Sequence, residues 1–487
     1  MPIFSLPSRY GIGTFGDEAR RFADFLKTAG QSCWQILPLG PTSFGDSPYQ
    51  SFSSFAGNPY FIDIDPLISE GLLKKSEAEH FDYGSDENAV DYALLYENRL
   101  PLLKLAFSRF SPDKDYFDFC QSESAWLDDY VLFTAIKKAE GDRAWYEWPK
   151  PLKSRDEDAL SAAREKYSDE LEFYRFVQFE FYRQWRSLKA YANKNGIEII
   201  GDIPIYVALD SADVWSEPEQ FLLKDGEPTL VAGCPPDAFT KEGQLWGNPL
   251  YNWDRMESEG FDWWCRRLKH SLTLYDTVRI DHFRGFESFY AIPFGAENAK
   301  NGKWLKGPGM KLFLALFEAF GEDMPIIAED LGFLTAPVRQ LLKDSGFPGM
   351  KVLQFAFDTR EESDYLPHNY TKNCVVYTGT HDNDTILGWE LSAPQSDVEH
   401  ARHYMNTQKN EGLNWAMIRL AMASVADTAI LMMPDLLSED SAARINTPST
   451  LGGNWIWRTS DGCINDWLAG ILYEYTALYG RLPDKEN

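Results

Sequence analysis

The chain is short of positive charge. Its 47 lysines and arginines face 74 aspartates and glutamates, a formal net charge of -27. Like charge repels, so nucleic acid and anionic membrane surfaces are excluded as main partners. Cysteine is scarce as well: six residues among 487, at positions 33, 120, 234, 265, 374 and 463, with no CxxC pair. That speaks against a disulfide framework and against a cysteine zinc site, and fits a reducing, cytoplasmic setting. No apolar run approaches the ~20 residues that span a bilayer. Residues 1–7 lack a basic stretch followed by a long apolar one, so no secretion signal is read. There is no Ser/Gly linker, no low-complexity tract and no internal repeat.

Several chemistries are missing with their motifs. No Walker A loop, no H-E-x-x-H and no G-x-S-x-G elbow occurs. His400 and His403 have helical spacing but no further ligands near them, which favours a solvated helix over a metal site. One motif imitates a nucleotide site. Gly11-Ile12-Gly13-Thr14-Phe15-Gly16 matches G-x-G-x-x-G ahead of a helical stretch. Its ribose-binding acid belongs about 20 residues on. No Asp or Glu stands between Asp24 and Asp46, so an NAD-dependent oxidoreductase is a distant alternative and the glycines read as a turn into a helix. No cofactor is expected.

Apolar runs and aromatic rings are present in quantity. The chain holds 16 Trp, 24 Tyr and 32 Phe. Many must be core, but aromatic faces also stack on the apolar faces of sugars. Eight β-like runs recur, at 3–7, 33–39, 197–207, 277–282, 325–330, 350–357, 374–379 and 428–434. They are nearly continuous apolar runs, as in strands covered on both faces. Helical periodicity between them is clearest at 17–29, 171–194, 311–320 and 413–424. The pattern predicts an α/β fold, a (β/α)8 TIM barrel forming one catalytic domain over 1–487. Two gaps exceed a simple crossover. Residues 66–190 are expected to form an inserted helical subdomain after strand two. Residues 208–275 are expected to form an insertion after strand three, with a hairpin at Asp225-Gly226. Insertions at strand carboxyl ends would wall the active-site face.

Three of the runs close on an acid: Asp281 after Thr277-Val278-Arg279-Ile280, Glu329 after Pro325-Ile326-Ile327-Ala328, and Asp382 after Thr378-Gly379-Thr380-His381. Barrel enzymes place their chemistry at strand carboxyl ends. Arg279 and Asp281 share a face, and a guanidinium favours a carboxylate's charged form, which suits a nucleophile. A structural ion pair is an equal reading of these two alone. Apolar neighbours suit Glu329 to hold a proton as a general acid. Asp330, on the opposite face, is its rival, and a helix-capping acid is the plain alternative. His381-Asp382-Asn383 reads by itself as an Asx turn. Together the three acids point to glycosidic bonds.

These residues and their surroundings resemble the 4-α-glucanotransferases (amylomaltases, disproportionating enzymes) of glycoside hydrolase family 77. The resemblance lies in VRIDHFRG around Asp281, IAEDLG around Glu329 and THDND around Asp382. It extends to Trp34 through Thr42, to the loops 45–51 and 56–60, to 201–207, to 235–249, to 444–448 and to 452–455. From about residue 2 to 457 it covers nearly the whole chain.

The resemblance implies a retaining double displacement, with Asp281 as nucleophile, Glu329 as acid/base and Asp382 as stabiliser of the transition state. It implies that Arg279, His282 and His381 position the nucleophile and the sugar. Ser47, Tyr49, Asp237, Gln244, Trp246 and Asn446 would line the donor and acceptor channel, with 235–249 as a lid. Partners would be maltooligosaccharides and other α-1,4-glucans. The chain begins directly in the first run and shows no carbohydrate-binding domain, which on the resemblance implies oligosaccharides as main donors. A retaining α-glucan hydrolase with the same acids is the near alternative. A non-catalytic sugar-binding protein would not need three intact acids.

Overall fold

The computed structural model describes residues 1–43, 45–236, 241–332, 334–360 and 362–483. Its centre is a parallel sheet of seven strands: β1 (Cys33–Gln35), β2 (Glu198–Pro204), β3 (Thr277–Asp281), β4 (Ile326–Ala328), β5 (Gly349–Val352), β6 (Cys374–Tyr377) and β7 (Thr428–Ile430). They are hydrogen-bonded in chain order, each beside the next, as in a barrel. Ile199, Ile200, Val278, Ile280, Ile326, Ile327, Val375 and Val376 are all buried, so both faces are covered and the apolar runs need no alternation. The fold is the expected TIM-type barrel with helical insertions.

The first expected strand is not one. Residues Ile3–Ser5 form a single 3-10 turn, closed by Ser5 N–H to the Pro2 carbonyl and Leu6 N–H to the Ile3 carbonyl. Prolines at 2 and 7 fix φ and remove two ladder donors, which favours the turn. Its Ile3, Phe4 and Leu6 still enter the core. The segment lies against β1, where Trp34 Nε1 donates to the Met1 carbonyl at 2.7 Å. Two other runs pass into helical turns: a 3-10 turn, Leu353–Phe355, follows β5, and a short helix, Met433–Leu436, follows β7.

The helices around the barrel follow their periodicity. Helix Asp17–Thr28 buries Ala19, Phe22, Ala23, Phe25 and Leu26, one stripe at i, i+3, i+4 spacing. That stripe faces the helices Ser168–Lys194 and Asp466–Leu478. The glycine motif ahead of it ends at Gly16, the extended residue that caps this helix. Between β1 and β2 the chain is largely helical, ending in the 27-residue helix Ser168–Lys194. Between β2 and β3 lies the expected hairpin, Leu223–Lys224 paired with Glu227–Pro228. Asp225 (φ 55°) and Gly226 (φ 78°) supply the two left-handed positions of its turn. Strands Leu230–Cys234 and Gln244–Pro249 join Ser288–Pro293 and Lys303–Lys306 in a four-stranded antiparallel sheet beside the barrel mouth. Among the described residues no helix is long and apolar enough to cross a membrane, and Cys33, Cys120, Cys265, Cys374 and Cys463 form no disulfide.

Candidate active site

The floor of the site is an arginine held between two acids. Arg279 on β3 is 3 % exposed. Its Nη1 donates to both oxygens of Asp202 on β2, at 2.8 and 2.6 Å, and its Nη2 donates to Asp281 Oδ1 at 2.9 Å. The register pairs Asp202 with Arg279 and Pro204 with Asp281, so strand pairing itself brings these groups together. Burial works against the Arg279 charge, but Asp202 and Asp281 more than offset it and hold the guanidinium protonated. Nε reaches the Met350 sulfur at 3.3 Å. With its donors committed, the guanidinium cannot swing, and it fixes the Asp281 carboxylate it touches.

Glu329 occupies the next strand end. Ile280 pairs with Ala328, and the ladder continues past both acids: Glu329 N–H donates to the Ile280 carbonyl, and Phe283 N–H to the Glu329 carbonyl, each at 3.0 Å. Asp281 and Glu329 therefore sit level on adjacent strands, which run about 4.8 Å apart. Backbone N–H groups of His282 and Leu331 each donate to the Glu329 carboxyl at 2.7 Å. His282 takes a left-handed conformation (φ 56°) that turns its N–H to the acid. Burial first, then the Asp281 charge, push the Glu329 carboxyl up to about 8, against the pull of Arg279 and the two N–H donors. It holds its proton near neutrality. The rival Asp330 is buried away from this cluster, where Oδ1 accepts the Met350 N–H at 2.6 Å, a backbone cap.

Asp382 stands at the outer edge of the cluster, and its carboxylate is half exposed. Oδ1 accepts from Asn446 Nδ2 at 2.6 Å and lies 3.4 Å from His381 Nε2. Arg444 donates to its backbone carbonyl at 2.7 Å. The turn does use an Asx side chain, that of Asn383, whose Oδ1 accepts back from the Thr380 N–H at 2.8 Å. The Tyr49 hydroxyl donates to Asp202 at 2.7 Å and lies 3.3 Å from His381 Nδ1, with the two rings stacked at 4.9 Å.

The other expected residues that are described pack close to this cluster. Trp246 packs edge-on against the His282 ring at 4.8 Å and donates to Gln244 Oε1 at 3.0 Å. Burial pushes His282 down to about 4, leaving a neutral imidazole under the tryptophan. Ser47 holds the Tyr49 loop through a 3.3 Å bond to the Tyr49 N–H. Asp237 lies outside the described residues. Three contributors escaped the sequence. Asp202 sits inside an apolar run that reads only as strand. Met350 meets the arginine through its sulfur. Trp455, 4 % exposed with φ 63°, presses its ring against His381 at 5.6 Å and Tyr49 at 5.8 Å. Its left-handed backbone, uncommon for so bulky a residue, is the mark of a constrained position.

A parallel barrel with two carboxyls on neighbouring strand ends, one beside an arginine and one buried and protonated, defines an enzyme of glycosidic bonds. Residues 1–464 match glycoside hydrolase family 77, 4-alpha-glucanotransferase. The chain belongs to this family and carries its 4-alpha-glucanotransferase activity. It is 50 % identical over 486 residues to a 4-alpha-glucanotransferase of Clostridium butyricum, covering 99 % of this chain and 100 % of that one. A Thermus thermophilus 4-alpha-glucanotransferase is 49 % identical over 472 residues, covering 94 % and 93 %. The solved amylomaltase of Streptococcus agalactiae, in complex with acarbose, superposes with a TM-score of 0.97 at 44 % identity over 99 % of both chains.

Proposed function

We propose that the chain moves α-1,4-glucan segments between maltooligosaccharides by a retaining double displacement on Asp281, Glu329 and Asp382. The Asp281 carboxylate attacks the anomeric carbon and forms a glucosyl ester as the glycosidic C–O bond breaks. Glu329 gives its proton to the departing oxygen. It then takes the proton of an incoming 4-hydroxyl, whose oxygen displaces Asp281 and restores the α bond. Asp382, steadied by Asn446, holds sugar hydroxyls as positive charge builds on the ring. The observation that carries this reading is the contrast between the two level carboxyls: Asp281 held by Arg279, Glu329 buried beside the Asp281 charge. Adjacent-strand spacing suits the ~5–5.5 Å separation of a retaining pair.

Arg279, His282 and His381 position Asp281 and the sugar in this scheme. Ser47, Tyr49, Gln244, Trp246, Asn446 and Asp237 line the channel. The segment 235–249 serves as a lid that excludes water, so that a sugar hydroxyl accepts the glucosyl group. Gly243 (φ 68°) sits just before the strand Gln244–Pro249 and Gly247 (φ 78°) at the irregularity in its pairing, two left-handed positions that favour glycine. The helical region 66–190 and the region 208–275 act as inserted subdomains that wall this face. The acarbose complex of the Streptococcus agalactiae relative supports an oligosaccharide ligand of the same class. Scarce cysteine without a CxxC pair supports a cytoplasmic setting.

Incubation with maltotriose alone tests the scheme. The expected products are glucose and a ladder of longer maltooligosaccharides, with little rise in reducing ends. A steady rise without a ladder would make the enzyme a hydrolase. Asp281→Asn should fold normally and lose roughly 10⁴-fold or more of turnover, as for removal of a nucleophile. Substantial residual activity would show that another group attacks the sugar.

A further inference from the structure

The loop that carries His381 and Asp382 leaves β6 at Thr378 and ends in the helix Ile386–Ser392. One side chain holds both of its roots. Asp435 Oδ2 accepts from the Thr378 hydroxyl at 2.9 Å, and Oδ1 accepts from the Ile386 N–H at 2.8 Å. Asp435 is 1 % exposed and lies in the short helix Met433–Leu436, just beyond β7. Its backbone carbonyl accepts from Asn414 Nδ2 at 2.8 Å, and the Thr378 hydroxyl accepts from Met432 N–H at 3.2 Å. The exit of β6, the start of the next helix and the exit of β7 thus meet at one carboxyl group.

The chain beyond Asp435 supplies partners of Asp382 and of Asp384. Ser441 donates to Asp384 Oδ2 at 2.8 Å, Arg444 to the Asp382 carbonyl at 2.7 Å, and Asn446 to the Asp382 carboxylate at 2.6 Å. Two loop tips meet in this way only when their roots are fixed relative to each other. A buried carboxyl is an expensive way to fill a core position, where apolar side chains pack at lower cost. Among the described residues no cation pairs with Asp435. Burial, with Asp384 adding to it and the two hydrogen bonds opposing, pushes it up to about 7. What an apolar residue cannot do is accept from both roots at once.

We propose that Asp435 is a positioning residue for Asp382, clamping both roots of the 378–386 loop against the segment that carries Asn446. The inference rests on the transition-state role given to Asp382 above. The test measures kcat and KM for maltotriose disproportionation in Asp382→Ala, Asp435→Ala, Asp435→Asn and Thr378→Val, with a melting curve for each. Misplacing a catalytic group by about 1 Å costs ~10²-fold, so Asp435→Ala should lower kcat about 100-fold while KM moves less than about threefold. Asp435→Asn keeps an acceptor for Ile386 and an amide for Thr378, and should recover to within about fivefold of wild type. Thr378→Val loses one of the two root contacts at constant volume and should lower kcat about tenfold. If Asp435→Ala does not fold, the asparagine and valine variants carry the test. Wild-type kcat in folded Asp435→Ala or in Thr378→Val, a change in KM alone, or equal losses in Asp435→Asn and Asp435→Ala would overturn the clamp while Asp382→Ala stays inactive. Wild-type turnover in Asp382→Ala would overturn the role of Asp382 and the clamp with it.

Discussion

Glu329 and Asp281 are both carboxylic acids, yet their surroundings differ. Asp281 touches a guanidinium whose charge is locked in place by Asp202. Glu329 has lost its water and faces the Asp281 charge, which pushes it to about 8. A general acid must be protonated in the free enzyme, so kcat/KM should fall as pH rises through about 8. In Glu329→Gln that alkaline limb should vanish, together with roughly 10²–10⁴-fold of the rate. A pH profile of maltotriose turnover checks both, and an unchanged limb in the variant would assign it to another group. The acids were legible because each ends an apolar run. Asp202, Met350 and Trp455 were not, because a residue inside a strand or a distant turn carries no local sign of what it faces.

At the scale of elements, strand register does the assembling. Asp202, Arg279 and Asp281 meet because β2 and β3 pair with Asp202 opposite Arg279. That register depends on close packing behind β2, where a Cβ on Gly201 would come within 2.1 Å of the Tyr275 ring. Gly201→Ala should therefore cost about 1–3 kcal/mol in urea unfolding, the usual cost of overpacking. A stability equal to wild type would show that Tyr275 can withdraw. The strand Gln244–Pro249 is tied to the Tyr49 loop by Gln50, which donates to Asn248 at 3.1 Å. Its Trp246 covers the His282 ring. Trp246→Ala should open this cover to water and raise the hydrolytic share of maltotriose products several-fold, read as reducing ends per transfer event. Helix periodicity and the Asp225-Gly226 turn were legible from sequence because 3.6-residue stripes and left-handed turn residues are local properties. The first run was not, since short apolar segments satisfy a turn as well as a strand, and the flanking prolines decided for the turn.

For the whole molecule, the acid site carries a stability cost that pH should reveal. Glu329 is raised in the folded state from its ordinary 4.5 to about 8. The folded protein therefore binds this proton more tightly than the unfolded chain between those values. Its contribution to stability is full below about 4.5 and is lost as pH rises through about 8. Glu329→Gln has no such proton to lose. Melting temperatures of the two proteins should diverge in favour of the variant as pH rises from about 6 to 9. A constant difference would mean that Glu329 is not buried as described. Family and chemistry were determined by sequence alone, because the acids, their flanking apolar runs and the Trp246 segment are contiguous patterns that survive reading in one dimension. Arg279 beside Asp281 was legible from strand alternation; only the tertiary structure decided which distant groups hold Asp382 and its loop. The Asn446 that steadies Asp382 lies 64 residues away, and the Asp435 beneath them 57 from Thr378. Contacts across such separations are set by strand order and packing.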